Sequence, residues 1–133
     1  MKSHFNLSGV IGTLTILMIS IFNPSTALGQ ALGWNEKRSI PTQVVAQSAC
    51  FSGGKIYLTG GSIDGALHQG DYGDHFLQIY DIQTDSWTEG TPMPTARWMH
   101  GSAQVNSVIY CLGGGWNIPL ATNEAYDIAS GIW

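Results

Sequence analysis

Two places in the sequence gather side chains able to do chemistry. The stretch SIDGALHQGDYGDHF carries Asp64, His68, Asp71, Asp74 and His75, oxygen and imidazole donors of the kind that hold divalent metals. Their spacing follows no recognised ligand loop and lacks the order of an EF-hand, so a solvated surface loop is the expectation and no metal is assigned. The string ARWMHG, Ala96 to Gly101, sets Arg97 and His100 on a linker between two units of the chain. These two are the candidate ligand-binding residues. Their competing role is to hydrogen-bond neighbouring backbone and lock one unit to the next. No G-x-S-x-G, H-E-x-x-H or C-x-x-C occurs, so no catalytic residue, metal or cofactor is assigned and enzyme activity is left open.

The elements that must position these residues are short and numerous. In 133 residues, 44% are hydrophobic and 11% charged, the balance of a folded domain. Seventeen glycines and fourteen aromatics (5 Trp, 5 Tyr, 4 Phe) favour strands joined by tight turns, because glycine supplies positive φ and aromatics suit a pleated surface. The net charge is −4 with no basic cluster, which removes the residues needed to grip nucleic-acid phosphates.

An internal repeat organises the strands. Trp34 aligns with Trp87, Pro41 with Pro94, Thr42 with Thr95, Ile56 and Tyr57 with Ile109 and Tyr110, and Gly60 and Gly61 with Gly113 and Gly114, all at an offset of 53 (87 − 34). Beyond the glycine pair, Tyr80 and Asp81 align with Tyr126 and Asp127, and Trp87 with Trp133, at an offset of 46 (133 − 87). The first unit therefore carries seven extra residues (53 − 46) inside SIDGALHQGDYGDHF. Each unit reads as four short strands: residues 46–52, 55–60, 76–81 and 86–90, then 99–105, 108–113, 123–128 and one opening near Trp133. In DIQTDSW, Asp81 is placed to cap turn amides, and the Ser-Gly of DIASGIW makes the same reversal.

A GG doublet after an apolar strand, a YD, a Trp some six residues later, then MP-x-x-R: this combination resembles the kelch repeat, one four-stranded blade of a β-propeller. The resemblance spans Trp34 to Trp133 and implies an all-β, kelch-type propeller, with about two blades present of a ring of six or seven. It implies that Tyr80, Trp87, Tyr126 and Trp133 pack in the blade cores and that Gly60, Gly61, Gly113 and Gly114 let the second strand end tightly against them. It also puts Arg97 and His100 beside a central channel, where such an arginine contacts ligands; the first unit has Val44 at the position of Arg97. A protein- or carbohydrate-binding module is the function implied. The alternative is a carbohydrate-active kelch enzyme, similar to sialic-acid epimerases or to the copper-dependent galactose oxidases, although neither active-site pattern is matched residue by residue.

The first residues follow another pattern. Lys2 and His4 precede the apolar run Val10 to Phe22, and Ala27 and Gly29 fit the small-residue positions of a cleavage site, so residues 1–29 are expected to be a signal peptide. Thirteen residues rise only about 20 Å, short of a bilayer's roughly 30 Å apolar core, so no stable membrane span is expected after cleavage. Secretion or a periplasmic location follows. Export would permit a disulfide between Cys50 and Cys111, but their non-equivalent repeat positions favour two buried apolar fillers. The expected organisation is an outer strand of a closing blade and linker over 30–45, blade 1 over 46–90, a linker over 91–98 and a truncated blade 2 over 99–133, the N-terminal part of a longer propeller.

Overall fold

Strands form where polar and apolar residues alternate between residues that tolerate positive φ. A computed structural model describes residues 33–63, 73–115 and 118–133; the expected leader, and Asp64, His68 and Asp71, lie outside them. The chain divides into two units, Met1–Lys37 and Arg38–Trp133. Of the first, residues 33–37 are described, with Trp34 79% exposed. The second holds two antiparallel sheets. One contains β1 (Ser48–Ser52), β2 (Lys55–Thr59), β3 (Leu77–Asp81) and β4 (Ser86–Glu89) in that order; the other contains β5 (Gly101–Val105), β6 (Val108–Leu112) and β7 (Asn123–Asp127). A single bridge between Asp127 and Ile132 begins a fourth strand in the second sheet.

Equivalent turns use different residues at equivalent dihedrals. The β1–β2 hairpin turns through Gly53 and Gly54 (φ 57° and 78°), the β5–β6 hairpin through Asn106 and Ser107 (φ 49° and 64°). Positive φ at both positions is what a two-residue type I′ turn demands. After β3, Asp81 accepts from the amides of Gln83 and Thr84, the capping expected of it; after β7, where the sequence assigns the reversal to Ser-Gly, Asp127 accepts from the amide of Ser130 as well. Asp85 (φ 50°) then takes the left-handed position that Gly131 (φ 71°) occupies in the second sheet. The inner strands begin two residues later than the sequence pattern predicts, because Ala46 (φ 56°) and Met99 (φ 52°) are left-handed and interrupt extended backbone. Of the segment 30–45, expected to hold an outer strand and a linker, the described residues 33–44 carry no strand and Val45 bridges Ser62.

The core lies between the two sheets. Cys50, Tyr57, Leu77 and Met93 meet Ile109, Cys111 and Tyr126, with Ile79, Ile128 and Trp133 packed around them. The rings of Tyr57 and Tyr126 face one another at 6.4 Å. The structural aromatics divide by depth. Tyr80 and Tyr126 are buried, whereas Trp87 and Trp133 are half-buried lids on those tyrosines, at centroid distances of 4.9 and 5.2 Å. Each indole also ties down the preceding linker: Trp87 Nε1 donates to Arg38 O (2.9 Å) and Trp133 Nε1 to Thr91 O (2.7 Å), two carbonyls 53 residues apart. The tryptophans therefore close the blades from outside instead of filling their centres, since an indole keeps its N–H at a polar partner.

Truncation should reflect that depth. Tyr126→Ala is expected to cost about 3–5 kcal/mol, and Trp87→Ala only about 1–3 kcal/mol, the sum of a ring contact and one hydrogen bond. Urea unfolding of both variants measures the difference; equal losses would put Trp87 in the core.

Candidate functional site

The linker between the sheets runs against both glycine doublets. A Cβ on Gly60 would strike the Arg97 carbonyl oxygen and come within 2.8 Å of His100 Cε1; one on Gly114 would lie 2.8 Å from Trp98 O and 2.9 Å from His100 Cβ. Gly60 and Gly114 are thus needed for close passage of residues 97–100, while Gly61 lies against Val44, Val45 and Gln47 and Gly113 against Leu120 O; the close neighbours are not, as the resemblance implied, the tyrosine and tryptophan rings. An extended linker offers an oxygen at every residue, and only a hydrogen in place of Cβ lets a strand end reach it.

Arg97 joins the sheets through two different parts of itself. Its backbone belongs to the first: the carbonyl accepts from Gly61 N (3.0 Å), and the amide donates to Asp74 O (3.2 Å). Its side chain belongs to the second: Nη1 donates to the carbonyls of Gly113 (3.0 Å), Thr122 (2.9 Å) and Cys111 (3.3 Å), and Nη2 to Glu124 Oε2 (2.8 Å). Glu124 also accepts from Thr95 Oγ1 at 2.5 Å. The guanidinium is 0% exposed, so the ligand contact expected of Arg97 has no surface to act through, and the locking contacts occupy the group instead.

The first unit solves the same junction without charge. Val44 stands where Arg97 stands, Gln78 where Glu124 stands (124 − 78 = 46), and Thr42 where Thr95 stands. Gln78 accepts from Thr42 N (3.0 Å) and donates to Thr42 O (3.2 Å). Loss of the cation is matched by loss of the anion, because a buried carboxylate without its partner is costly whereas a buried amide bonded to backbone is not.

His100 is buried beside this clamp, with Nε2 2.9 Å from Thr59 Oγ1. Burial, aided by the neighbouring Arg97 charge, lowers its pKa to about 4, so the imidazole is neutral near pH 7. A chain of weak polar contacts continues along the junction: Cys111 Sγ donates to Thr59 Oγ1 (3.6 Å), Cys50 Sγ to Ser102 Oγ (3.2 Å), and the Ser48 and Ser102 hydroxyls meet at 2.6 Å. Both cysteines are buried as free thiols, and burial pushes the Cys111 thiol up.

Open space lies at the blade end where β2 and β6 finish and β3 and β7 begin. A cleft of about 270 Å³ is lined by Asp74, His75, Phe76, Leu77, Gln78, Glu89, Gly90 and Pro92. A shallower one of about 390 Å³ is lined by His75, Pro94, Thr95, Ala96 and Leu120. His75, shared by both, is held by its Nδ1 against Met93 O (2.6 Å), and Asp74 Oδ2 accepts from Ile63 N (3.0 Å). Among the described residues no three His, Cys, Asp or Glu side chains gather for a metal. Among them, too, no helix is long and apolar enough to cross a membrane. Phe76, Glu89, Pro92 and Leu120 were not singled out from the sequence, where they read as strand ends and linker.

Consecutive antiparallel sheets of four and three strands packed face to face, joined by a linker that feeds the inner strand of the second, define successive blades of a β-propeller. The family model of the Kelch motif matches residues 96–133. Human Kelch-like protein 25 is 33% identical over 107 residues, 73% of this chain and 17% of that protein. Kelch-like protein 25 of Xenopus tropicalis is 35% identical over 78 residues, 59% of this chain and 12% of that protein. Human Kelch-like protein 23 is 34% identical over 82 residues, 61% and 14% of the two chains. The solved structure of YjhT superposes with a TM-score of 0.60 at 19% identity, over 73% of this chain and 28% of that one, which shows a shared fold. The chain belongs to the kelch-repeat family. It spans less than a fifth of the length of these curated relatives.

The clamp makes a sharp prediction. Arg97→Val should cost about 3–5 kcal/mol by stranding Glu124, and adding Glu124→Gln, which copies the first unit, should restore most of it. Chemical denaturation of the two variants measures this; no recovery in the double variant would show that the carbonyl contacts, not the charge pair, carry the junction.

A second concerns acid. An unfolded histidine titrates near 6.5 and His100 at about 4 when folded, so the unfolded chain binds more protons between these values. The stability held above pH 6.5 should fall as pH drops through that window. His100→Gln should flatten the melting temperature there, leaving any further loss at lower pH, where Asp81 and Asp127, whose pKa values are lowered by turn amides, become protonated.

Proposed function

We propose that this chain is part of an exported kelch propeller that binds a protein through the blade end at which β2 and β6 finish and β3 and β7 begin. The observation that carries this reading is the pair of adjoining clefts at that end, sharing His75. The facing sides of the two sheets are committed to packing, and the junction side chains to one another, whereas the cleft walls present Pro92, His75 and Glu89 to solvent. Loop ends carried on a rigid scaffold are where binding residues concentrate. Export is supported by Lys2, the apolar run Val10 to Phe22 and the Ala27 and Gly29 spacing.

Two measurements test this. The N-terminus of secreted or periplasmic material should lie near Gln30, and recovery of intact Met1 in a membrane fraction would reject export. A photo-cross-linking residue at Pro92 or Leu120 of the protein in its native compartment should yield protein adducts by mass spectrometry, with none from Gln83 in the β3–β4 turn. Adducts at Gln83 alone would place the binding surface at the other end; a carbohydrate array bound in the absence of any protein adduct would replace the ligand class.

A further inference from the structure

The two units agree in what the scaffold needs and disagree at one place. Across the equivalence that pairs Tyr80 with Tyr126, Asp74, His75, Phe76 and Leu77 correspond to Leu120, Ala121, Thr122 and Asn123. Both segments do the same backbone work, since Gly60 N donates to Phe76 O (2.8 Å) and Gly113 N to Thr122 O (3.0 Å). The blade architecture therefore requires neither an acid nor an aromatic ring there. The first unit nonetheless has both, and they form the walls of the 270 Å³ cleft together with Glu89, Gly90 and Pro92.

The chemistry of that cleft has two parts. Its floor and one wall are apolar: Leu77 is 2% exposed, Phe76 is half-buried and Pro92 is exposed. Its rim carries the carboxylates of Asp74 and Glu89, and the ion pairs among the described residues, Lys55 with Asp81 and Arg97 with Glu124, involve neither. Of the remaining polar lining, Gln78 is saturated by the backbone of Thr42, and His75 is held by its Nδ1 against Met93 O. A net charge of −4 adds to the local bias for a cation.

We propose that this cleft docks a segment of a protein partner in which a lysine or arginine adjoins a large apolar side chain. The apolar group sits over Phe76, Leu77 and Pro92 and the basic head lies between Asp74 and Glu89. This deepens the binding reading above and rests on it. A long basic side chain suits the site because its methylene stem covers apolar wall while its head stays at the acidic rim, and charge complementarity fixes which segment is accepted.

The test uses the full-length protein and fluorescein-labelled peptides in a Gly-Ser background with a Lys-Leu or Arg-Phe core, read by fluorescence polarisation. The core peptides should bind at least about tenfold more tightly than versions with Glu for the basic residue or Ala for the apolar one, the scale of one charge-assisted contact. Glu89→Lys should remove that preference and favour the Glu-substituted peptide. Asp74→Asn, which keeps an acceptor for Ile63 N–H, should weaken the core peptides with the melting temperature unchanged. Equal binding of all peptides, or a preference that survives Glu89→Lys, overturns the proposal. Protein adducts at Pro92 or Leu120 combined with no basic-apolar preference would sink this inference and leave the binding reading standing. Absence of both adducts and peptide binding would remove both.

Discussion

The junction between the blades depends on one buried guanidinium. Arg97 is built into the first blade by its main chain and into the second by its side chain, so neither sheet can shift without breaking its hydrogen bonds. Taking a cation fully out of water is offset only where several acceptors converge on it, and three carbonyls with one carboxylate do so here. The rest follows from its position. The linker it anchors passes close enough to Gly60 and Gly114 to exclude side chains, His100 is carried into a buried position where its pKa is lowered, and the clefts open where the linker leaves the outer strand.

The charged clamp is one of two solutions in the same chain. Val44 with Gln78 and Arg97 with Glu124 occupy equivalent places, and each acidic or amide side chain engages the equivalent threonine. A carboxylate is tolerated only beside the arginine, and an amide suffices where the arginine is missing. The matched exchange separates what the fold demands, a satisfied acceptor facing the linker, from what one junction happens to use. Where the units differ without such a match, at Asp74 to Leu77 and their counterparts, the difference lies on an open cleft.

Strand positions, hairpin turns, the repeat and its change of offset were legible because each rests on one residue and its neighbours: alternation for strands, tolerance of positive φ for turns, a cap for the Asp81 reversal and a glycine for its counterpart. The small errors have local causes too, since nothing in Ala46 or Met99 advertises a left-handed backbone. The depth of the tryptophans, the neighbours of the glycine doublets and the role of Arg97 were not legible. Each turns on groups distant in sequence, such as Trp87 with Arg38 and Arg97 with Glu124.

The residue types alone therefore established an all-β repeat with its strands in order, because backbone dihedrals and burial alternation are short-range properties. Whether an arginine on a linker meets solvent or four oxygens of the next blade was decided by tertiary packing. Its carbonyl partners belong to a backbone that every residue shares, and no side-chain pattern marks which carbonyls will converge.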